Sequence, residues 1–394
     1  MPETIVQRNT AIAPARAARR RRIGVDLLVL SQFTDTGMVI YAEEILPRLF
    51  QSMPDCEWVL FMKEPFKLRF DPARFPNVTI KSSRWMASSW AWKLAGVILE
   101  PIIEQIDLLF IPVSRAPLLK TCKLIIFVHD VGFLTMPEYL KAGTVRKTKA
   151  AMRQSERKAD LLLTNSVFTR REFCQEYKTP ESRMDVTYLG FDEKLFHPRP
   201  VPDAVRDEVL EHYGIRKPYV LYLGVIQGRK NLVRLIQAQQ IWRQHHPELQ
   251  LVLAGKKGWN CEEIYALADP LPGEVVLTGR IEAEHLQILY KNAECYVLPS
   301  LYEGFGMPVI EAMACGVPAA ISNRSSLPEV GADAAVYFNP EDPPEMAETI
   351  LKVVQSPDLR RRMIAAGLER ASEFTWTRIG ENTVRAFRKV LAGA

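Results

Sequence analysis

The chain has 394 residues, of which 47% are hydrophobic and 25% are charged, and its formal net charge is +5. The length predicts about two domains, and the composition is typical of a globular protein with substantial cores. The small net charge argues against a nucleic-acid-binding protein. The six cysteines are scattered without a C-x-x-C pair, which argues against structural zinc and favours buried thiols in a reducing compartment. No DxD pair occurs, so no metal ligands are predicted.

The chain begins with a basic segment. Residues 1–22 carry six arginines and one glutamate, and we predict a disordered basic tail over 1–21 before a first strand. This tail could contact anionic lipid or could simply be solvated. Asp26 interrupts the next apolar run and no small-residue cleavage site follows, so a signal peptide is not expected. No segment reaches the roughly 18 apolar residues of a membrane span. We expect a cytoplasmic protein, with peripheral contact to the inner face of the cytoplasmic membrane as a further hypothesis.

Apolar runs alternate with helical patterns, and a proline-rich stretch, 196–205, divides the chain into two halves. This alternation predicts an α/β protein with two parallel sheets, each covered on both faces. The carboxyl ends of the strands would then face a shared cleft, where α/β proteins bind ligands. The predicted strands are 23–30, 58–62, 108–113, 124–130, 160–166, 184–189, 219–224, 249–255, 274–279 and 294–300; the predicted helices are 38–52, 141–159, 168–177, 231–247, 283–292 and 308–315.

The stretch 300–318, SLYEGFGMPVIEAMACGVP, places a glycine-rich loop between Glu303 and Glu311. Pro308 suits the first turn of a helix, so a short helix is predicted over 308–315. The glycines let the backbone approach a ligand, and the free N–H groups of the helix start favour an anion. The motif predicts a site for a phosphate and hydroxyl-rich groups, although a glycine turn followed by a helix with a solvated glutamate fits this stretch alone.

Charged residues follow other predicted strands as well. Arg229 and Lys230 come after the strand 219–224, with Asn231 as a candidate N-cap, and two cations beside a helix start suit a diphosphate. A solvated basic turn is the alternative. His129 ends an apolar strand and is predicted to face the cleft, with a purely structural histidine as the alternative.

Two weaker signals complete this set. Arg280 and Ile281 follow the strand 274–279 and could form a wall for a nucleobase, although a purely structural role fits them equally. Gly37 is a single glycine before a helix and is a weak signal on its own.

The segment EGFGMPVIEAMACGVP (303–318) resembles the E-x7-E signature of retaining glycosyltransferases of family 4, which have the GT-B fold with two Rossmann-like domains. The similarity runs in order over about residues 22–390. It implies an acceptor-binding domain over 22–200, a nucleotide-sugar-binding domain over 201–374, and a helix over 375–394 that returns to the first domain. Supporting segments are HDVGFLTMPEY (129–139), NSVFTRREF (165–173), YLGFDEKLFHP (188–198) and GRKN (228–231).

The resemblance also implies a role for each matched residue. Glu311 would bind the ribose hydroxyls and Glu303 a hydroxyl of the donor sugar. Arg229 and Lys230 would neutralise the leaving diphosphate. The remaining implied contacts are Gly304, Phe305, Gly306, Met307 and Pro308 with the sugar and diphosphate, Gly37 with the diphosphate, His129 near the sugar and acceptor, and Arg280 and Ile281 beside the base.

The chain departs from the family pattern at two places. Val225 stands where many relatives have arginine, and the first-domain glycine loop is reduced to Gly37. Arg229, Lys230 and Asn231 together resemble the subgroup that is often mannosyltransferases. The resemblance therefore favours a metal-independent enzyme that uses GDP-mannose, with a UDP-sugar as the alternative donor. A non-catalytic scaffold, a phosphorylase and a sugar-nucleotide epimerase of the same architecture are rival hypotheses.

We expect retention by a front-face route, because the first half shows no obvious carboxylate nucleophile.

The segment 84–99 holds three of the seven tryptophans, and the predicted helix at 141–158 carries seven Lys or Arg residues against one Glu. Both lie in the expected acceptor domain and suit docking on an anionic membrane. This favours a saccharide or polyprenyl-linked saccharide acceptor in polysaccharide or O-antigen assembly. Core tryptophans beside a solvated helix are the alternative.

Overall fold

A computed structural model describes residues 19–28, 30, 37–63, 68–139 and 143–393. Most of the predicted basic tail (1–18) and most of the loop before the first helix (31–36) lie outside the described residues. In the described part of the chain, no helix combines the length and apolar character that a membrane span requires.

The first sheet has seven parallel strands in the order β3-β2-β1-β4-β5-β6-β7. Consecutive strands on either side of β1 are joined by crossovers, which is the arrangement of a doubly wound sheet. The strands are β1 Arg21–Asp26, β2 Cys56–Phe61, β3 Val78–Lys81, β4 Leu108–Ile111, β5 Lys123–Val128, β6 Leu161–Thr164 and β7 Met184–Val186.

Helices cover both faces of this sheet. They are α1 Gly37–Ser52, α2 Ser89–Ala91, α3 Val97–Ile103, α4 Gly132–Thr135, α5 Thr144–Lys158 and α6 Val167–Tyr177, and a π-helical turn, Trp92–Gly96, joins α2 to α3.

The second sheet has six parallel strands in the order β10-β9-β8-β11-β12-β13. They are β8 Tyr219–Leu223, β9 Gln250–Ala254, β10 Val275–Gly279, β11 Cys295–Leu298, β12 Ala319–Ser322 and β13 Ala335–Phe338. The helices around this sheet are α7 Asp203–His212, α8 Leu232–Trp242, α9 Glu262–Ala268, α10 Ala283–Asn292, α11 Met307–Ala314, α12 Leu327–Gly331, α13 Pro343–Gln355 and α14 Pro357–Ser372.

The central strands are apolar along their whole length because helices cover both of their faces. All residues of β4, β6, β9, β11 and β12 are buried. The predicted α/β class with two parallel sheets is therefore confirmed. The division of the chain at residues 200 and 374 stays a prediction from the sequence.

The first strand is shorter than the predicted 23–30. It ends at Asp26, whose carboxylate accepts hydrogen bonds from the Leu28 backbone N–H and the Trp92 indole N–H, both at 3.1 Å. This turn redirects the chain even though the next residues are still apolar.

The last helix, α15 (Trp376–Ala392), packs against α1 and the first sheet. Phe387 is fully buried and its ring lies 5.8 Å from that of Trp58 and 5.2 Å from that of Phe110. Lys123 donates to the Val390 carbonyl at 2.6 Å. Helix α15 therefore contributes to the core beneath the first sheet, although it follows the second sheet in the chain.

Candidate active site

The residues of the E-x7-E segment lie beside those of the basic turn because their strands are neighbours. β8 and β11 pair in parallel, so the loops that follow them leave the sheet at the same edge. Arg229 and Lys230 lie in the 3₁₀ turn Gly228–Lys230 after β8, and Glu303 lies in the loop after β11. The Leu301 N–H donates to the Arg229 carbonyl at 3.2 Å, which ties the two loops together.

Glu303 is buried and is held by two neighbouring cations. Its side chain forms ion pairs with Lys230 and, at 3.4 Å, with Arg229. The Ser300 hydroxyl donates to the same carboxylate at 2.6 Å. Burial alone would raise the pKa of Glu303, but the two cations overcome this effect and hold the pKa at about 2. Glu303 is therefore an ionised acceptor throughout the physiological range.

The loop between Glu303 and α11 has a fixed backbone. The Ser326 hydroxyl lies 2.9 Å from the carbonyl oxygens of both Glu303 and Phe305, and Ser325 accepts from the Glu303 N–H at 3.0 Å. Gly306 has φ 106°, a conformation that glycine adopts readily, and a Cβ there would lie 2.7 Å from Leu327. The Phe305 side chain is buried, so only its backbone is available to a ligand on this side.

Helix α11 begins at Met307, with Pro308 in its first turn, as the sequence predicted. Gly37, the first residue of α1, lies opposite this helix start, because a Cβ on Gly37 would lie 3.8 Å from the Met307 sulfur. The structure thus brings a glycine of one half to the anion-favouring end of a helix of the other half.

Glu311 lies one turn along α11 and has a different environment from Glu303. Its carboxylate accepts a hydrogen bond from the Tyr290 hydroxyl at 2.9 Å. Burial raises the pKa of Glu311 to about 7, and the Tyr290 hydrogen bond only partly opposes this rise. Near neutral pH the group is poised between its two protonation states.

His129 follows β5 and lies in an aromatic environment. Its Nε2 lies 2.9 Å from the Pro112 carbonyl oxygen, and its ring lies 4.3 Å from Phe127 and 6.3 Å from Tyr41. Burial lowers the pKa of His129 to about 4, so the imidazole is neutral near pH 7. With Nε2–H donating to Pro112, the Nδ1 atom is the one that can accept a proton or a hydrogen bond.

Direct contacts join the two halves around this site. The Ser166 hydroxyl donates to the Gly304 carbonyl at 2.8 Å, and the Tyr302 hydroxyl donates to Glu172 at 2.7 Å. The Glu329 carboxylate accepts from the Val167 and Phe168 N–H groups at the start of α6, at 2.7 and 2.9 Å. The structure is therefore a closed arrangement in which the two sheets share a boundary at the candidate site.

A cavity of about 300 Å³ lies at this boundary, next to Arg229. Both halves supply its walls, and it combines aromatic rings with one carboxylate. The lining residues are Asp130, Gly132, Phe133, Met136, Thr144, Thr148, Arg229, Trp259 and Tyr302.

The two predicted base-wall residues lie at the same edge of the second sheet but farther from the ionic cluster. Strand β9 separates β10, which precedes Arg280, from β8. Ile281 is buried, whereas the Arg280 side chain is exposed. Their assignment to a nucleobase stays a prediction.

Sequence reasoning missed several residues of the site. Ser300 contacts Glu303, Tyr290 contacts Glu311, and Tyr302 joins the halves. Ser300 and Tyr302 stand at the start of the 300–318 stretch, but its E-x7-E spacing gives them no role, and Tyr290 lies outside it. Asn231 occupies the N-cap position of α8 without capping it. Its amide instead donates to the Pro299 and Pro340 carbonyls at 3.0 and 2.7 Å. Among the described residues, no group of three or more His, Cys, Asp or Glu side chains could hold a metal ion.

Comparisons with known proteins agree with this architecture. The model of the family "Glycosyl transferases group 1" matches residues 206–370. The O-antigen chain mannosyltransferase B of Escherichia coli is 31% identical over 377 residues, which is 90% of this chain and 96% of that protein.

Solved structures show the same fold. The sucrose-phosphate synthase of Thermosynechococcus elongatus superposes with a TM-score of 0.73 at 19% identity, covering 95% of this chain and 100% of that one. HepE of Anabaena, solved in complex with UDP, gives a TM-score of 0.71 at 16% identity, covering 94% and 100%. The family model and the 31% identical relative show that the chain belongs to the group 1 glycosyltransferases. The solved structures show that this glycosyltransferase has the GT-B fold.

Proposed function

We propose that the protein is a retaining mannosyltransferase that moves mannose from GDP-mannose to a saccharide or lipid-linked saccharide in cell-surface polysaccharide synthesis. The observation that carries this proposal is the ionic cluster that the buried Glu303, in the loop that leads into α11, forms with Arg229 and Lys230. The mannosyl donor is supported by the similarity over nearly the whole chain to an O-antigen mannosyltransferase.

In the proposed reaction, the bond between the anomeric carbon and the phosphate oxygen breaks, and negative charge grows on the diphosphate. Arg229, Lys230 and the N–H groups at the start of α11 would stabilise that charge, which is usually the largest catalytic contribution. Arg229 is the more accessible cation, because its side chain is 32% exposed and lines the cavity. Paired with the one carboxylate of Glu303, these two cations keep a net positive charge, and they would stabilise the diphosphate without a metal ion.

The two glutamates would orient the donor. The ionised Glu303 would accept from a hydroxyl of the donor sugar, and Glu311 would accept from the ribose hydroxyls. His129, neutral in this environment, would lie near the sugar and acceptor and could accept a hydrogen bond through Nδ1. Retention would follow a front-face route in which the leaving phosphate takes the acceptor proton. An α-linked product is expected, and a β-linked product identified by NMR would contradict this route.

The cavity beside Arg229 suits the acceptor. The rings of Phe133, Trp259 and Tyr302 can lie against the C–H faces of a sugar, and Asp130 can accept from its hydroxyls. Because the cavity lies next to Arg229, an acceptor hydroxyl there would be close to the reacting phosphate.

A UDP-sugar is the second candidate donor, since the structurally similar HepE was solved with UDP. The two candidate donors are distinguished by incubating the enzyme with short oligomannoside acceptors and one labelled donor at a time, with EDTA present. The donors tested are GDP-mannose, UDP-glucose, UDP-galactose and UDP-N-acetylglucosamine.

Transfer from GDP-mannose in wild type, lost in Glu303→Gln, is the expected result. Transfer only from a UDP-sugar would show that the donor is not GDP-mannose. Transfer only after addition of a divalent metal would refute metal independence. No transfer from any donor to these or to lipid-linked acceptors would refute the proposed reaction.

A further inference from the structure

A second cavity, of about 540 Å³, lies in the second half of the chain beside the start of helix α8. We call it the outer cavity, and we call the cavity of about 300 Å³ next to Arg229 the inner cavity. Helix α8, the turn before it and the start of α9 form the walls of the outer cavity. Its polar lining side chains are Asn231, Arg234, Gln237, Asn260 and Glu263.

The inner and outer cavities adjoin each other. Two segments separate them, 224–231 after β8 and 255–261 after β9, and in each segment neighbouring residues line different cavities. Arg229 and Trp259 line the inner cavity, whereas Gly228 and Asn260 line the outer one. Consecutive Cα atoms are only about 3.8 Å apart, so the two cavities lie on either side of one thin wall.

The wall between the two cavities has a fixed position. The Ile226 N–H donates to the Lys256 carbonyl at 3.0 Å, and the Gly258 N–H donates to the Ile226 carbonyl at 2.8 Å. A Cβ on Gly258 would lie 2.7 Å from that carbonyl oxygen, so the close approach of the two segments requires glycine. These contacts hold the backbone of Trp259 at a defined place.

Trp259 forms the rim between the cavities. It lines the inner cavity and yet is 52% exposed to solvent. The next residue, Asn260, is also exposed and lines the outer cavity. An exposed indole ring beside polar groups is a surface on which the C–H face of a sugar packs. A saccharide chain can therefore pass from one cavity to the other across this rim.

One cation of the outer cavity is oriented from the protein interior. Asn231 is buried, and its amide donates to the Pro299 and Pro340 carbonyls at 3.0 and 2.7 Å. Its Oδ1 accepts a hydrogen bond from Arg234 at 3.0 Å. The side chain of Asn231 thus links the interior to the Arg234 guanidinium. A donor that is held in this way loses little side-chain freedom when it binds a ligand.

The polar lining of the outer cavity indicates the kind of ligand. Gln237 and Asn260 each carry an amide that donates and accepts hydrogen bonds. Arg234 and Glu263 are the two charged residues of the lining, and their charges cancel, which disfavours a phosphate or a nucleotide. Groups that donate beside groups that accept match hydroxyls, which do both. The outer cavity therefore suits an uncharged ligand with many hydroxyl groups.

We propose that the outer cavity is a second acceptor subsite, which binds the sugar next to the one that receives the transferred hexose. The acceptor is then an oligosaccharide of at least two units, with its reacting sugar in the inner cavity and its next sugar in the outer one. This inference rests on the proposed function, in which the inner cavity holds the acceptor. It adds the size of the acceptor and the residues that recognise it.

The test compares acceptors of different length. Transfer from the donor that the enzyme uses is measured to methyl α-mannoside and to α-linked mannobioses. Wild type should use the best disaccharide with a kcat/KM at least tenfold higher than that for methyl α-mannoside. The gain should come mainly from a lower KM, because contacts away from the reacting atoms add binding without changing the chemical step.

The double variant Gln237→Ala/Glu263→Ala removes two polar side chains of the outer cavity. It should lower kcat/KM for the disaccharide at least tenfold more than for methyl α-mannoside. Trp259→Ala should weaken the use of both acceptors, because Trp259 lines the inner cavity. The matched control, Gln240→Ala/Glu262→Ala, removes the same kinds of side chain from exposed positions of α8 and α9 outside the cavity, and it should behave like wild type.

Binding of the same sugars without donor is followed by ligand-observed NMR, so the subsite is tested independently of transfer. Wild type should bind the disaccharide at least tenfold more tightly than methyl α-mannoside. Gln237→Ala/Glu263→Ala should lose this difference, and the control should keep it. Circular dichroism checks that every variant is folded.

Two outcomes overturn the proposal. One is that wild type shows no preference for the disaccharide in transfer or, where no transfer occurs, in binding. The other is that Gln237→Ala/Glu263→Ala keeps the same preference as its control, which would place the second sugar elsewhere. Absence of transfer from every donor would instead refute the proposed reaction, and the binding comparison would still decide whether the outer cavity is a sugar subsite.

Discussion

Two glutamates eight residues apart have opposite electrostatic environments in this site. Lys230 and Arg229 keep Glu303 ionised, with a pKa of about 2, although the side chain is buried. Glu311 accepts a hydrogen bond from the Tyr290 hydroxyl, with no cation paired to it among the described residues, and burial raises its pKa to about 7. One carboxylate is thus a permanent charge, whereas the other changes protonation state within the working pH range, and this difference makes their roles separable by experiment.

The first prediction concerns Glu311. If it binds the ribose hydroxyls, its ionised form is the better acceptor, so nucleotide affinity should rise as pH increases from about 6 to 8 through the pKa of about 7. Glu311→Gln should bind more weakly at pH 8 and show a flat profile, measured by calorimetry. An unchanged profile in Glu311→Gln would show that another group causes the pH dependence.

A second prediction concerns the ionic cluster. Lys230→Met should lower kcat by about 10²–10³, or roughly 3–4 kcal/mol, because a preorganised charge for the leaving group is lost. Removal also leaves Glu303 with Arg229 as its nearest cation, so the pKa of Glu303 should rise. Lys352→Met removes an exposed lysine of α13 and should leave kcat unchanged. If Lys230→Met had the same kcat as the control Lys352→Met, a catalytic role for Lys230 would be excluded.

At the scale of elements, the closed arrangement depends on a glycine loop that meets the end of β5. A Cβ on Gly304 would lie 2.5 Å from the His129 carbonyl oxygen and 2.9 Å from the Asp130 Cβ. The His129 backbone cannot move aside as a flexible side chain can, so only glycine fits at position 304.

Gly304→Ala should therefore hold the two sheets apart while each still folds. We expect a larger radius of gyration by small-angle X-ray scattering and at least a tenfold lower kcat, because closure would no longer complete the site. Gly367→Ala is the control, since the nearest atom to its Cβ would be a Met313 side-chain carbon at 3.3 Å. A compact and fully active Gly304→Ala enzyme would contradict the role given to this contact.

How well elements can be predicted from the sequence depends on the kind of signal. Helix α11 lies within one residue of its predicted bounds, because proline and glycine mark helix ends locally. The edge strand β3 was missed, since none of its residues is buried and its pattern is weak. Ser300 and Tyr290 were missed because they reach Glu303 and Glu311 only through loop conformation and helix packing, which no spacing encodes.

At the scale of the whole molecule, α15 connects the end of the chain to the first sheet. Its aromatic face fills space that the helices of the first half leave open, with Phe387 against Trp58 and Phe110. Exposed ion pairs, such as Arg388 with Asp55, add little by comparison. The first sheet therefore completes its core only with residues from beyond the second sheet.

Phe387→Ala should consequently destabilise the first sheet by about 3–5 kcal/mol, because a fully buried aromatic ring is lost. The measurement is hydrogen exchange by mass spectrometry, with faster exchange expected in β2 and β4. Arg385→Ala, an exposed change on the same helix, should alter stability by less than about 0.5 kcal/mol. Faster exchange confined to the second sheet would contradict this packing role.

The most direct test of the proposed function is calorimetric binding of GDP, UDP and ADP, with EDTA present, to wild type and to Glu311→Ala. It requires no acceptor and therefore isolates the donor site. The proposal predicts that GDP binds most tightly without metal and that Glu311→Ala weakens this binding by at least tenfold. Preference for UDP would contradict the mannosyl donor, and the absence of binding by all three nucleotides would contradict the donor site itself.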